Sequence, residues 1–467
     1  MKALIKTYGC QMNEQDSLHM KGLLSRQGYL ETKDDGEADL VLFVTCSIRE
    51  KAVQKVFSDL GRVRQRLEDN PQLLVGVCGC VAQQEKENLF KRFPFIDLVF
   101  GPDAIKNLPE MIAKAKQEKT KNEKVRILNT QFSSQKDFEF INLVNPHEEE
   151  SRIKAFVNIQ KGCDNVCSFC IVPRVRGREV SRPSQEIIQE IKALVGMGVK
   201  EVTLLGQNVN SYGLKDRGEL QFSELLQEIA NQTNLERLRF TTSHPKDVGS
   251  DLIKLFGELT ILCPSFHLPV QSGSNRVLKD MRRQYTREHY LEIIQQLKEI
   301  KSNMAFTTDF IVGFPSETEE EFEETISLLN QVGFDMSFCF AYSERPGTAA
   351  ARMPDRLSVA EKKHRLDILQ TRQKQIALEK NKAREGKVEE VLVESFDALK
   401  MNWAGRSRSN KIVHFPQEKE SVKEDLTGKY IDVKVIKANH FSLMGEVFNE
   451  STGFRRIHSS EGDRTYN

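Results

Sequence analysis

This 467-residue sequence lacks any long apolar run. The longest, near Ala38–Val44, falls far short of the roughly 20 residues needed to span a bilayer. The start, Met1–Gln11, has no apolar core of signal-peptide length, so a soluble, cytoplasmic protein with no membrane partner is expected. Net charge is also missing: 68 Lys and Arg stand against 67 Asp and Glu. Bulk basicity therefore does not announce a nucleic-acid partner, although local patches can still bind one. Nine cysteines are too few for a secreted disulfide scaffold. A reduced compartment, with cysteine kept for metal or catalysis, fits better. There is one tryptophan, no GxGxxG or P-loop signature, no internal repeat and no low-complexity tract.

What is present is an alternation of strand-like and helix-like segments, and the length suggests about three domains. Over 1–118, apolar runs at Ala3–Tyr8, Leu40–Thr45, Leu73–Val77 and Ile96–Phe100 alternate with helical stretches at 13–28, 47–69, 83–92 and 103–117, which predicts an open parallel α/β sheet. Segment 119–150 loses this periodicity and reads as a linker. Over 151–379 six apolar runs, at Ala155–Ile159, Val202–Leu205, Leu238–Thr241, Phe266–Val270, Ala305–Val312 and Phe334–Ala341, predict a partial (β/α)6 barrel. The charged stretch from Arg356 to Arg384 reads as a long solvated helix. Residues 380–449 hold short β-branched runs that suit a small β-barrel, and 450–467 form a tail.

Cys163, Cys167 and Cys170 lie in KGCDNVCSFC, just after the first barrel strand, where barrel active sites form. A structural zinc would need a fourth ligand, and none is close in sequence. A [4Fe–4S] cluster held by three thiolates would keep one iron open. Cys10, Cys46 and Cys80 each follow a strand of the first domain, at the sheet edge where ligands bind. They could share a site or be packing residues; Cys78, Cys263 and Cys339 read as packing residues.

The C-x3-C-x2-C spacing resembles the radical S-adenosylmethionine (SAM) superfamily. KTYGCQMN around Cys10, FVTCSIRE around Cys46 and GCVAQ around Cys80 are similar to the methylthiotransferase family within it. The resemblance continues through RGREVSRP at 176–183, LLGQNVNSYG at 204–213, TTSHPKD at 241–247, HLPVQSGSNRVLKDMRR at 267–283 and DFIVGFPSET at 309–318, and ends in a module similar to the TRAM domain. It implies two [4Fe–4S] clusters, one on Cys10, Cys46 and Cys80 and one on Cys163, Cys167 and Cys170. SAM would bind the second and serve as both radical source and methyl donor. Of the family's three branches, which act on a ribosomal protein, on threonylcarbamoyladenosine in tRNA and on N6-isopentenyl(dimethylallyl)adenosine in tRNA, YGCQMN at 8–13 and GQNVNSYG at 206–213 are similar to the third. The implied reaction is methylthiolation at C2 of that adenosine, beside the anticodon.

Candidate SAM-binding residues at strand ends are Gly206, Gln207, Ser272, Gly273 and Gly313. Candidate contacts to the tRNA anticodon arm are Arg174, Arg176, Arg178 and Arg182, together with Trp403, Arg406, Arg408 and Lys411 in the last module. An electron-donor protein and a sulfur source are implied as further partners, and a monomer is expected. Two other readings compete: the sister enzyme acting on threonylcarbamoyladenosine, and a non-catalytic iron–sulfur RNA-binding redox sensor, which would bind tRNA without producing 5′-deoxyadenosine.

Overall fold

The run LVLFVT becomes a strand with all six side chains buried, because helices cover both faces of its sheet. This is seen in the computed structural model of the chain, which describes residues 1–47, 50–121, 123–132, 153–216, 218–417, 425–450 and 453–454. The first domain alternates β1 (Lys2–Thr7), α1 (Gln11–Arg26), β2 (Leu30–Glu31), β3 (Leu40–Thr45), α2 (Glu50–Asp69), β4 (Leu74–Gly79), α3 (Cys80–Glu85), α4 (Glu87–Arg92), β5 (Leu98–Phe100), α5 (Leu108–Thr120) and β6 (Ile127–Asn129). The strands form one sheet in the order β2-β1-β3-β4-β5-β6, all parallel. Separate apolar clusters back its two faces, one around Leu42, Phe100 and Met111, the other around Phe43, Val77 and Phe90.

Part of the stretch read as a linker over 119–150 is therefore sheet. It holds the end of α5 and β6, whose three residues are too short to show a period but complete the sheet against β5. Residues 133–152 lie outside the described set. The helix expected over 83–92 is two short ones, parted at Lys86 with φ 50°.

The second domain runs β7 (Lys154–Asn158), β8 (Gln160–Lys161), α6 (Val172–Val175), β9 (Val180–Ser181), α7 (Ser184–Gly196), β10 (Glu201–Leu205), α8 (Phe222–Gln232), β11 (Arg237–Phe240), α9 (Ser250–Glu258), β12 (Ser265–His267), α10 (Asn275–Asp280), α11 (Arg287–Ile300), β13 (Ala305–Val312), α12 (Glu319–Val332), β14 (Met336–Ala341) and α13 (Val359–Lys382). Strands β7, β10 and β11 form one parallel half and β12, β13 and β14 the other; a bridge from Leu238 of β11 to Leu262, just before β12, links the halves, and the result is an open six-stranded barrel. The large core lies outside the strands, under the helices, around Leu204, Phe266, Tyr290 and Phe334. Helix starts follow sequence logic: Thr318 with Glu321 and Ser358 with Glu361 each form a capping box.

Helix α13 does not run out into solvent. Leu369 and Ile376 join the barrel core, and Arg365 is buried against Glu317 at 2.8 Å. Charged neighbours mask this stripe in the sequence. The last domain is a closed five-stranded barrel in the order β15-β16-β17-β19-β18, from β15 (Val388–Asp397), β16 (Asn402–Ser407), β17 (Ile412–Pro416), β18 (Tyr430–Ala438) and β19 (Ser442–Val447). A small pair, β20 (Asn449–Glu450) and β21 (Gly453–Phe454), opens the tail, whose residues 455–467 lie outside the described set.

This barrel is bolted to the second domain. Arg237, 0% exposed, donates to the carbonyls of Arg406 at 2.9 Å and Glu390 at 3.1 Å. Arg239 donates to the carbonyls of Arg408 at 2.9 Å and Ser407 at 3.0 Å. Beside them Asp335, at the turn before β14, is buried between Lys411 at 2.9 Å and Lys380.

Candidate functional site

A side chain points into an open barrel when it stands at every second position of a strand. In β13 Thr307 and Asp309 are half-buried on either side of fully buried Thr308, and both line a cavity of about 840 Å³. Beside them on the neighbouring strands stand His267 of β12 and Phe338 and Phe340 of β14, and Phe156 of β7 and Thr203 of β10 line the same cavity from the other half-barrel. His267 shares a 2.9 Å hydrogen bond with Thr307 through Nδ1, and burial pushes its pKa down against the pull of Asp309. The imidazole is thus neutral near pH 7.

The upper wall of the same cavity comes from the first domain. Gly9, Cys10, Cys46 and Cys80 line it, because Cys10, Cys46 and Cys80 follow β1, β3 and β4, which are neighbours in the sheet. Backbone glycines bring these turns together. Gly9 has φ +128° and a Cβ there would lie 2.3 Å from Cys46 Cβ; Gly79 has φ +96° and a Cβ there would lie 2.5 Å from the Thr45 carbonyl oxygen. Gly79→Ala is therefore expected to cost about 1–3 kcal/mol and to lower iron uptake at the first thiol set, read by thermal unfolding and iron analysis.

Cys10 accepts a hydrogen bond from Cys46 and feels Arg176, which together bring its pKa down to about 6 against the effect of burial. Burial pushes the Cys80 thiol up, opposed by Arg176. Arg176 is the hub here. It belongs to the second domain, yet its Nη2 donates to Asp16 at 2.6 Å and to Asn13 at 3.2 Å on α1.

The second thiol set sits on the loop between β8 and α6. Ser168 anchors that loop by donating to the carbonyls of Met281 at 3.0 Å through N–H and of Asp280 at 2.7 Å through Oγ. Burial raises Cys163 to about 11 and Cys170 to about 12, and the nearby Cys167 sulfur adds to both. Two buried thiols that resist ionisation call for a cationic centre to hold them as thiolates. Among the described residues no three His, Cys, Asp or Glu side chains are closed up around one ion. A cubane cluster suits the looser spacing, since each thiolate then binds a different iron. In both sets the donor chemistry fits such a cluster: three thiols each, with a buried guanidinium alongside.

The two sets share a wall. Helix α6 begins two residues after Cys170, and its Val175, with Ile171, packs on Cys80. Gln207 spans the join: its Oε1 accepts from the Gly162 N–H beside Cys163, and its buried Nε2 has no hydrogen-bond partner among the described residues. Cys163, Cys167 and Cys170 themselves are not part of the cavity wall.

Among the strand-end candidates, Gly206 and Gln207 line the cavity, whereas Ser272, Gly273 and Gly313 do not. Ser272 and Gly273 pack against Thr325 of α12, and Gly313 against Lys362 of α13. They are turn residues facing outer helices. Of the arginines, Arg174 and Arg178 are exposed, while Arg176 is committed to Asp16 and Arg182 is buried against Glu190 and Glu186. A buried guanidinium bound to carboxylates is not offered to phosphate. Trp403 is 4% exposed in the core of the last barrel, in tilted contact with the Phe396 ring, and so is no platform for a base. Lys411 is held by Asp335 and Arg408 by the Thr260 carbonyl. Arg406, with Asn410, lines the lower end of the cavity. His267, Thr307 and Asp309 were not among the candidate site residues, although His267 and Asp309 open two of the family-like segments; the signal for all three was polar side chains inside otherwise apolar strands.

Residues 2–101 match the uncharacterized protein family UPF0004, residues 157–329 the radical SAM superfamily and residues 382–448 the TRAM domain. A Clostridium botulinum protein named tRNA-2-methylthio-N(6)-dimethylallyladenosine synthase is 44% identical over 445 residues, 95% of this chain and 96% of its own length. A Syntrophus aciditrophicus protein of the same name is 47% identical over 447 residues, 96% of this chain and 94% of its own. The solved structure of the radical SAM methyltransferase TsrM from Kitasatospora setae shares the fold, with TM-score 0.54 and 14% identity over 75% of this chain and 76% of that one. No described helix is long and apolar enough to cross a membrane. The chain belongs to the radical SAM family whose members carry the name tRNA-2-methylthio-N(6)-dimethylallyladenosine synthase.

Proposed function

We propose that this chain is a tRNA-modifying enzyme that transfers a methylthio group to C2 of N6-dimethylallyladenosine beside the anticodon. The observation that carries the reading is one cavity walled above by Cys10, Cys46 and Cys80 and at the side by α6, the helix that directly follows Cys163, Cys167 and Cys170. An adenine C2–H is unactivated, and no side-chain acid or base removes it near neutral pH. The two [4Fe–4S] clusters and SAM supply radical chemistry at C–H and the methyl and sulfur atoms to be delivered.

The chain's own residues bind and orient the base. Phe156, Phe338 and Phe340 give the cavity an aromatic wall that suits the apolar dimethylallyl substituent, while neutral His267 and Thr307 offer hydrogen bonds to ring nitrogens. The first domain lies over the barrel and keeps water off the reacting carbon. Gly206 and Gln207 are placed for SAM, next to the second thiol set. Arg174 and Arg178 are the exposed cations for the anticodon-arm backbone. Turnover draws on an electron-donor protein and a sulfur source, and the enzyme acts as a cytoplasmic monomer.

Mass spectrometry of tRNA nucleosides from a deletion strain tests the reading. The 2-methylthio dimethylallyl nucleoside should vanish and return on complementation. Loss of the threonylcarbamoyl species instead assigns the sister activity, and no change in either leaves only the RNA-binding sensor.

A further inference from the structure

Arg283 ends the segment HLPVQSGSNRVLKDMRR and lies 5% exposed beneath the loop of the second thiol set. Its guanidinium is fixed on three sides. Nε donates to Tyr285 Oη at 3.1 Å and Nη2 to the Pro269 carbonyl at 2.9 Å. Tyr285 is itself pinned, donating to the Val270 carbonyl at 2.7 Å. The remaining arm, Nη1, donates to Cys167 Sγ at 3.3 Å.

What sets Arg283 apart from Arg176 is its company. Arg176 has Asp16 at 2.6 Å; Arg283 meets a phenol, a carbonyl and a sulfur. Among the described residues no carboxylate lies within ion-pair distance of Arg283, and a buried cation is costly unless an anion meets it. The anion on offer is the thiolate set.

We propose that Arg283 is a positioning residue for the cluster held by Cys163, Cys167 and Cys170, hydrogen-bonding the Cys167 sulfur and raising the cluster's reduction potential. This rests on the cluster assignment made under the proposed function. One electron taken from the donor adds one negative charge beside a fixed guanidinium. A charge-assisted N–H to a ligand sulfur stabilises that reduced form more than the oxidised one. A partner of this kind also orients the ligand itself. The pinning by Tyr285 and Pro269 means the donor is in place before the metal arrives.

The test uses the full chain carrying Cys10→Ala, Cys46→Ala and Cys80→Ala together, so that a single cluster reports. After anaerobic reconstitution, the parent, Arg283→Lys and Arg283→Met are titrated with dithionite and followed by electron paramagnetic resonance. A parent that loads about four irons and cleaves SAM secures the cluster assignment independently of Arg283. Arg283→Met should then titrate at a lower midpoint potential, with a changed signal of the reduced cluster, and Arg283→Lys should fall between it and the parent. Variants that load normally and titrate with the parent overturn the proposal. Failure of both variants to load iron overturns it too, because the three thiols are then not sufficient ligands without the guanidinium.

Discussion

Alanine at Cys163, Cys167 or Cys170 is expected to bring both 5′-deoxyadenosine formation and methylthio transfer to background, whereas alanine at Cys10, Cys46 or Cys80 removes transfer alone. The asymmetry follows from where the two sets sit. The second set lies behind α6 on the barrel loop, where Ser168 holds it to the carbonyls of Asp280 and Met281 of its own domain. The first set lines the cavity wall over the substrate position. Losing one of its thiols leaves the barrel loop intact and takes away the group delivered to carbon. Anaerobic assays that quantify 5′-deoxyadenosine and methylthiolated nucleoside in the same tube decide the matter, with iron falling from about eight to about four per chain in each case. An N-terminal variant that still transfers would refute the division of labour.

The second large effect is on stability. Asp335 is buried between Lys411 and Lys380 and also accepts the Phe306 N–H at 3.0 Å. Asp335→Ala leaves buried Lys411 without a counter-charge, a loss of about 3–5 kcal/mol for a broken buried pair. Burial would raise the Asp335 pKa, and Lys411 and Lys380 outweigh it, so the folded value lies below the ordinary one. For Lys411 burial wins over Asp335, and its pKa is pushed down; the attraction is thus set against a real desolvation cost.

The sign is that of a depressed carboxylate. The contribution of Asp335 is complete above the unfolded value of about 3.9 and is lost as pH falls through the lower folded value. Urea unfolding should show a wide gap between the parent and Asp335→Asn at pH 7, narrowing below about pH 4. A gap that stays constant to pH 3 would place the stabilisation elsewhere.

Local spacing made the chemistry legible in the sequence. Cys163, Cys167 and Cys170 lie within eight residues, and Cys10, Cys46 and Cys80 occupy equivalent places after parallel strands, where topology alone brings them to one edge. What was not legible depends on partners far along the chain. Arg176 and Arg182 look alike as members of one basic loop, but Arg176 finds Asp16 160 residues away, while Arg182 finds Glu190 on the following helix. Trp403 sits among Arg406 and Arg408 in sequence, yet in β16 the pattern alternates and turns Trp403 inward. Gly273 and Gly313 announce turns without saying which face the turn presents; here both meet helices α12 and α13. The motif HLPVQSGSNRVLKDMRR carried family likeness but no role for Arg283, because its target sulfur is 116 residues upstream.

Arg176 also fixes an order of assembly. Asp16 and Asn13 emerge from the ribosome with α1, more than a hundred residues before the guanidinium that they share. Until then Asp16 has no cation from the second domain, and Cys10 and Cys80 lack the positive charge that pulls their thiols toward ionisation. The first domain is thus made early and finished late. Iron offered to a nascent chain meets an incomplete upper site until residue 176 has been made and has closed the joint.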